Sequence, residues 1–101
     1  MNFNMLRQAQ ELKSKLDKTQ KEMGKMTVEG EAGKGAVKVT MNGQQKIVAI
    51  KISPDAVNPN KVGDLEKLIM KAIGDTREKS EKMAAQQLKG LTGGLKIPGL
   101  M

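Results

Sequence analysis

The chain has 101 residues, with eighteen Lys and Arg against eleven Asp and Glu and a net charge of +7, which fits a single domain biased towards acidic polymers or membrane surfaces as partners. Zero cysteines and zero histidines exclude a disulfide framework, a thiolate nucleophile, a Cys-based zinc site and an imidazole proton shuttle, and most enzyme chemistry with them. One Phe with no Trp or Tyr cannot build the aromatic platform on which single strands stack, so a nucleic-acid partner would be a duplex held through its phosphates.

The N-terminal stretch MNFNMLRQAQELKSK carries charge early, and no run of about 18 apolar residues occurs, so a cytoplasmic protein without a membrane span is expected. Met5, Ala9, Leu12, Leu16, Thr19, Met23 and Met26 recur at alternating steps of four and three, which predicts a helix over 5–26 with a narrow apolar seam. Its Ala, Thr and three Met make that seam weak, as suits a helix packed on a sheet as well as a short coiled coil. Gly24 and the β-favouring Thr27-Val28 place the stop at 24–26. Arg7, Lys18, Lys21 and Lys25 lie opposite the seam, flanked by Lys13 and Lys15. They form either a phosphate-tracking stripe or a solvated face in which Glu22 pairs with Lys18 and Glu11 with Lys15.

The segment TVEGEAGKGAVKVTMNGQQKIVAIKI predicts a three-stranded antiparallel meander, with strands at roughly 27–31, 36–41 and 45–52. Asn42-Gly43 predicts a two-residue type I′ turn, which needs positive φ at both central positions. Gly33-Lys34-Gly35 forms the other turn, because it lacks the strand, GxxxxGK[ST] and helix context of a phosphate-binding loop. Val37, Val39 and Met41 share one face of the middle strand, while on the third strand Val48, Ile50 and Ile52 oppose Ile47, Ala49 and Lys51. Lys34, Lys38, Lys46 and Lys51 against Glu31 alone read equally as protection of the sheet edge and as auxiliary basic charge.

Ser53-Pro54 closes the third strand, and a loop leads to a second helix from Asp64 to about Lys89. Leu65, Leu68, Ile69, Ala72, Ile73, Met83, Ala84 and Leu88 form its apolar side, and the polar stretch GDTREKSEK, beginning at Gly74, predicts a bend or a break into two helices. That stretch holds Arg77, Lys79 and Lys82, placed to project. The ending LTGGLKIPGLM, residues 91–101, is expected to be a loose or docking tail of the single domain 1–101. No serine or carboxylate has an activating partner, so no catalytic residue, cofactor, metal or small-molecule substrate is expected.

Helices of these lengths would be roughly 33 and 39 Å long, against a radius of gyration of about 13 Å for a compact 100-residue domain. Both should outrun a three-stranded sheet that itself leaves an edge exposed. A homodimer joined through the sheet, the helices or both answers both problems. A monomer with frayed helix ends is the alternative.

Taken together, MLRQAQELKSKLDKTQKEM, VEGEAGKGAVKVTMNGQQKIVAIKISP, DLEKLIMKAIGDTREKSEKMAAQQL and LTGGLKIPGL resemble, in this order, the YbaB/EbfC family of bacterial nucleoid-associated DNA-binding proteins. The resemblance covers nearly the whole chain, without the Met/Gly-rich extension that some members carry ahead of the first helix. It implies an α+β fold, an α-β-β-β-α protomer in a tweezer-like homodimer. It also implies a non-enzymatic protein of the nucleoid that binds double-stranded DNA and influences nucleoid organisation and transcription. In that family the projecting helices are implicated in DNA contact, which by region and charge points to Arg7, Lys13, Lys18, Lys21 and Lys25 and to Arg77, Lys79 and Lys82. A second reading is a protein-interaction or adaptor module using the helix seam, the Met side chains and the LKIPGLM tail.

Overall fold

A computed structural model describes residues 2–92, with side chains characterised through Gly90. The elements follow in the order α1 (Phe3–Lys25), β1 (Thr27–Ala32), β2 (Val37–Asn42), β3 (Ile47–Ile52), a single 3₁₀ turn (Pro54–Ala56) and α2 (Val62–Thr92). The three strands form one antiparallel sheet in the order β1-β2-β3, so the fold is the α+β meander between two helices that the sequence predicts. Leu91 and Thr92 continue α2, and the rest of the expected tail lies outside the described residues.

The core lies between the sheet and α2. Val37, Val39 and Met41 of β2 are buried with Ala32 and Ala72, and Val28, Leu65, Leu68, Ile69 and Ile73 close around them. Packing this close requires a hole in β1. A Cβ at Gly30 would stand 2.3 Å from Thr76 Oγ1 and 2.7 Å from Thr76 N, so only glycine lets the helix backbone approach the strand.

The break expected at Gly74 does not occur, and α2 runs unbroken through it. The apolar side of the helix holds it down before Gly74, and Thr76 and Ser80, both fully buried, hold it down after. Their hydroxyls make them compatible with that position. Thr76 Oγ1 donates to Ala72 O at 2.6 Å, with Val39 O at 3.3 Å, and Ser80 Oγ donates to Asn42 O at 2.8 Å. Small hydroxyls satisfied in this way replace apolar side chains on a buried helix face at little cost.

The β1–β2 turn falls at Gly33-Lys34-Gly35 as expected, whereas the β2–β3 turn differs. Positive φ falls at Gly33 (64°), Lys34 (57°) and Gly35 (86°), and Ala36 N donates to Gly33 O, so the positive φ at both central positions that a type I′ turn needs is found in this turn. The β2–β3 loop spans three residues, closed by Gln45 N to Asn42 O and Asn42 N to Lys46 O, both at 3.0 Å, with positive φ at Gln45 (63°). Positive φ is therefore not what Gly43 supplies. A Cβ there would lie 2.7 Å from Met23 O, and the missing side chain lets the loop dock on the end of α1.

The register of β3 also differs. Thr40 pairs with Ala49 and Met41 with Ile47, so Val48 is bulged out and the faces exchange beyond it. Ile47 is carried round to the side of Ile50 and Ile52, opposite Met41, Val39 and Val37. The expected grouping of Ile47 with Ala49 and Lys51 does not hold.

With principal extents of 67 × 25 × 18 Å and a radius of gyration of 19.3 Å, the chain is far longer than a compact domain of its size. The helices outrun the sheet, as their lengths require.

Candidate nucleic-acid interface

The exposed basic residues belong to an α1 fixed at one end only. Near its C-terminus Thr19 and Met23 are buried, and the β2–β3 loop grips the backbone. Gly43 N donates to Met23 O at 2.7 Å and to Met26 O at 3.0 Å. Gln44 Nε2 donates to Gln20 O at 2.8 Å, and Asn42 Nδ2 to Gly24 O at 3.3 Å. Asn42 is the hub of this joint, since its Oδ1 also accepts from Gln44 N and Lys46 N and its carbonyl from Ser80 Oγ. Towards the N-terminus Met5, Ala9 and Leu16 are exposed and only Leu12 is half-buried. The predicted seam therefore packs along its C-terminal part and leaves the other half of the helix as an arm.

At 100° per residue Arg7, Lys18, Lys21 and Lys25 fall within about 60° of one another, opposite Leu12, Thr19 and Met23. They extend along about 27 Å of helix, with Lys13 to one side, and all five are exposed. The ion pairs considered for this face do not form. Among the described residues the salt bridges are Lys79 with Asp75 and Lys82 with Glu78, both on α2. The charges of α1 stand in water without a carboxylate partner, the disposition that suits a phosphate row.

The basic residues of α2 are not gathered in this way. Lys79 Nζ lies 3.5 Å from Asp75 Oδ2 and donates to Glu29 O at 3.1 Å, so it is tied to β1. Arg77 points about 160° away around the helix. Lys82 is exposed in an i, i+4 pair with Glu78 at 3.7 Å, which is too weak to withhold it from an anion. On the outer face of the sheet Lys38 stands between Glu31 and Lys51, and Lys34 occupies the tip of the β1–β2 turn.

The sequence reading missed what Asp75 and Lys79 do together. Glu31 N donates to Asp75 Oδ2 at 3.2 Å while Lys79 donates to Glu29 O, so α2 occupies two of the outward backbone groups of β1. Antiparallel ladders alternate, and with Glu29 and Glu31 facing out, Lys38 and Thr40 bond to Lys51 and Ala49. Ile50 and Ile52 then turn their N–H and C=O to the open side of β3. Every residue of β3 is exposed, including Val48 at 56% and Ile50 at 45%, because α2 packs mainly over β1 and β2.

No group of three or more His, Cys, Asp or Glu is placed to hold a metal among the described residues, and no described helix is long and apolar enough to cross a membrane.

The model of the YbaB/EbfC DNA-binding family matches residues 1–95. Among similar proteins, the nucleoid-associated protein of Desulforamulus reducens is 44% identical over 100 residues, covering 98% of this chain and 95% of the relative. That of Pelotomaculum thermopropionicum is 43% identical over 96 residues, covering 95% and 91%. Among solved structures, an uncharacterised protein of Helicobacter pylori, HP0035, superposes with a TM-score of 0.78 over 92% of this chain and 99% of the other. At 18% identity it attests the fold alone.

Proposed function

Because the chain belongs to the YbaB/EbfC DNA-binding family, we propose that it is a homodimeric nucleoid-associated protein that grips double-stranded DNA mainly through phosphates. Sequence preference is weak or absent, and bound copies influence nucleoid organisation and gene expression in the cytoplasm. The observation that carries this reading is the row of exposed cations along α1 that make no salt bridge among the described residues, Arg7 and Lys13 on the free arm and Lys18, Lys21 and Lys25 nearer the fixed end. Arg77 and Lys82 add charge from α2. Lys79 adds least, since β1 already holds it.

The dimer is supported by β3. Pairing the open edge with the same edge of a second copy would satisfy the groups of Ile50 and Ile52 in both. Ile47, Ile50 and Ile52 of the two protomers would then meet on one face between the two α2 helices. A second copy also doubles the cations presented to a duplex.

A duplex titration at several salt concentrations, paired with a size measurement, tests the reading. With three to four cations engaged per protomer, log affinity should fall against log salt with a slope of about −5 to −7, and the protein should sediment as a dimer. Affinity indifferent to salt would remove the phosphate reading.

A further inference from the structure

We infer that Phe3, with Leu6 beside it, is a wedge that contacts the bases of bound duplex DNA from the tip of the α1 arm, an assignment that rests on the DNA-binding reading above. Phe3 is the only aromatic residue of the chain and is 85% exposed, with Leu6 at 44%. It sits at a capped helix end. Asn2 caps the helix, its Oδ1 accepting from Asn4 N at 3.1 Å and its carbonyl from Met5 N and Leu6 N at 3.1 and 3.2 Å, so the ring is carried by the first helical residue.

The direction of the ring separates it from the packing seam. At 100° per residue Phe3 lies about 180° from Leu12, about 40° from Arg7 and in line with Lys21, while Leu6 is about 60° from Phe3. The helix therefore carries Phe3 and Leu6 at its tip on the same side as Arg7, Lys18, Lys21 and Lys25, with Asp17 among the cations. Phosphates account for the basic part and leave Phe3 and Leu6 without a counterpart. Between its phosphate rows a duplex offers base edges and, where a step opens, base faces, and these accept an apolar side chain. A lipid surface fits less well, since the apolar pair gives way at once to Gln10, Lys13 and Ser14 and a membrane-bound helix needs a continuous apolar face. Insertion at a step favours those that unstack easily, pyrimidine–purine steps above all.

The test uses the full chain with Phe3→Ala and Phe3→Trp, a duplex containing TA steps, and vesicles of anionic phospholipid. Phe3→Ala should reduce duplex affinity about tenfold, within the range that stacking against one base contributes. The slope against salt should not change, because the ring displaces no counterion. Phe3→Trp should bind as the parent does and, as the sole Trp in a chain that otherwise has none, report the duplex by quenched emission. Unchanged affinity of Phe3→Ala would overturn the wedge, as would a slope that falls with the affinity, which would mean that the ring only positions the cations. Emission that responds to vesicles and not to duplex would overturn it in favour of a lipid surface. A parent protein that binds no duplex defeats the functional reading itself, whereas a parent that binds beside an unaffected Phe3→Ala defeats the wedge alone.

Discussion

The two edges of the sheet are treated in opposite ways. On β1 Glu29 O and Glu31 N are taken by Lys79 and Asp75, and α2 covers the inner face. On β3 neither the edge nor the inner face is covered, and Ile47, Val48, Ile50 and Ile52 are all exposed. A protein that only needed to avoid strand pairing would blunt both edges. In the dimer proposed above, sealing one edge and leaving apolar side chains on the other would select a single orientation in which a second copy adds, so the arms of the two protomers would take one fixed relation.

The largest effect should come from spoiling the open edge. Ile50→Lys with Ile52→Lys puts like charges on both sides of the proposed junction and should weaken dimerisation at least about a hundredfold, read by sedimentation, with the protomer still folded. A variant that remains a dimer at the same concentration would place the interface elsewhere. Next come the joints that hold the helices to the sheet. Asn42→Ala strips the hub that ties α1, the β2–β3 loop and Ser80 together, and should cost about 2 to 3 kcal/mol of stability in denaturant unfolding. Gly30→Ala forces Thr76 away from β1 and should cost about 1 to 3 kcal/mol, loosening the helix that carries the seal.

Smaller changes sharpen the sealed side. Gly74→Ala meets nothing within 4 Å inside α2 and should stabilise by about 0.5 to 1 kcal/mol, seen as a raised melting temperature. Lys79→Ala removes a half-exposed pair and should change stability by less than about 1 kcal/mol. It should nonetheless uncover Glu29 O, so that species larger than the dimer appear in light scattering where the parent shows none.

Much of this architecture can be read from the residues, because the seam of α1, the alternation in β2 and the apolar side of α2 are periodic signals. The rest depends on neighbours distant in sequence. GDTREKSEK looks like a helix interruption because hydroxyl residues count as polar, yet Thr76 and Ser80 are buried where carbonyls of β2 receive them. Asn42-Gly43 marks the hairpin correctly for a different reason, since Gly43 is set by Met23 and Asn42 by three elements at once. The bulge at Val48 leaves no mark in the alternation and changes which face Ile47 joins. For the candidate interface, the stripe on α1 is legible as spacing, but its lack of ion pairs among the described residues and its fixation at one end are not. Lys79 reads as a projecting cation until its position beside Glu29 is known.

The most direct test of the central claim removes the stripe and leaves everything else. Lys18→Ala, Lys21→Ala and Lys25→Ala are all on exposed positions, and the triple variant should keep its fold and its dimer. Its slope of log duplex affinity against log salt should become shallower by about 0.9 for each phosphate that is no longer neutralised, with affinity reduced alike on unrelated sequences. A triple variant whose slope and affinity match the parent would contradict the account and move the DNA-binding surface off α1.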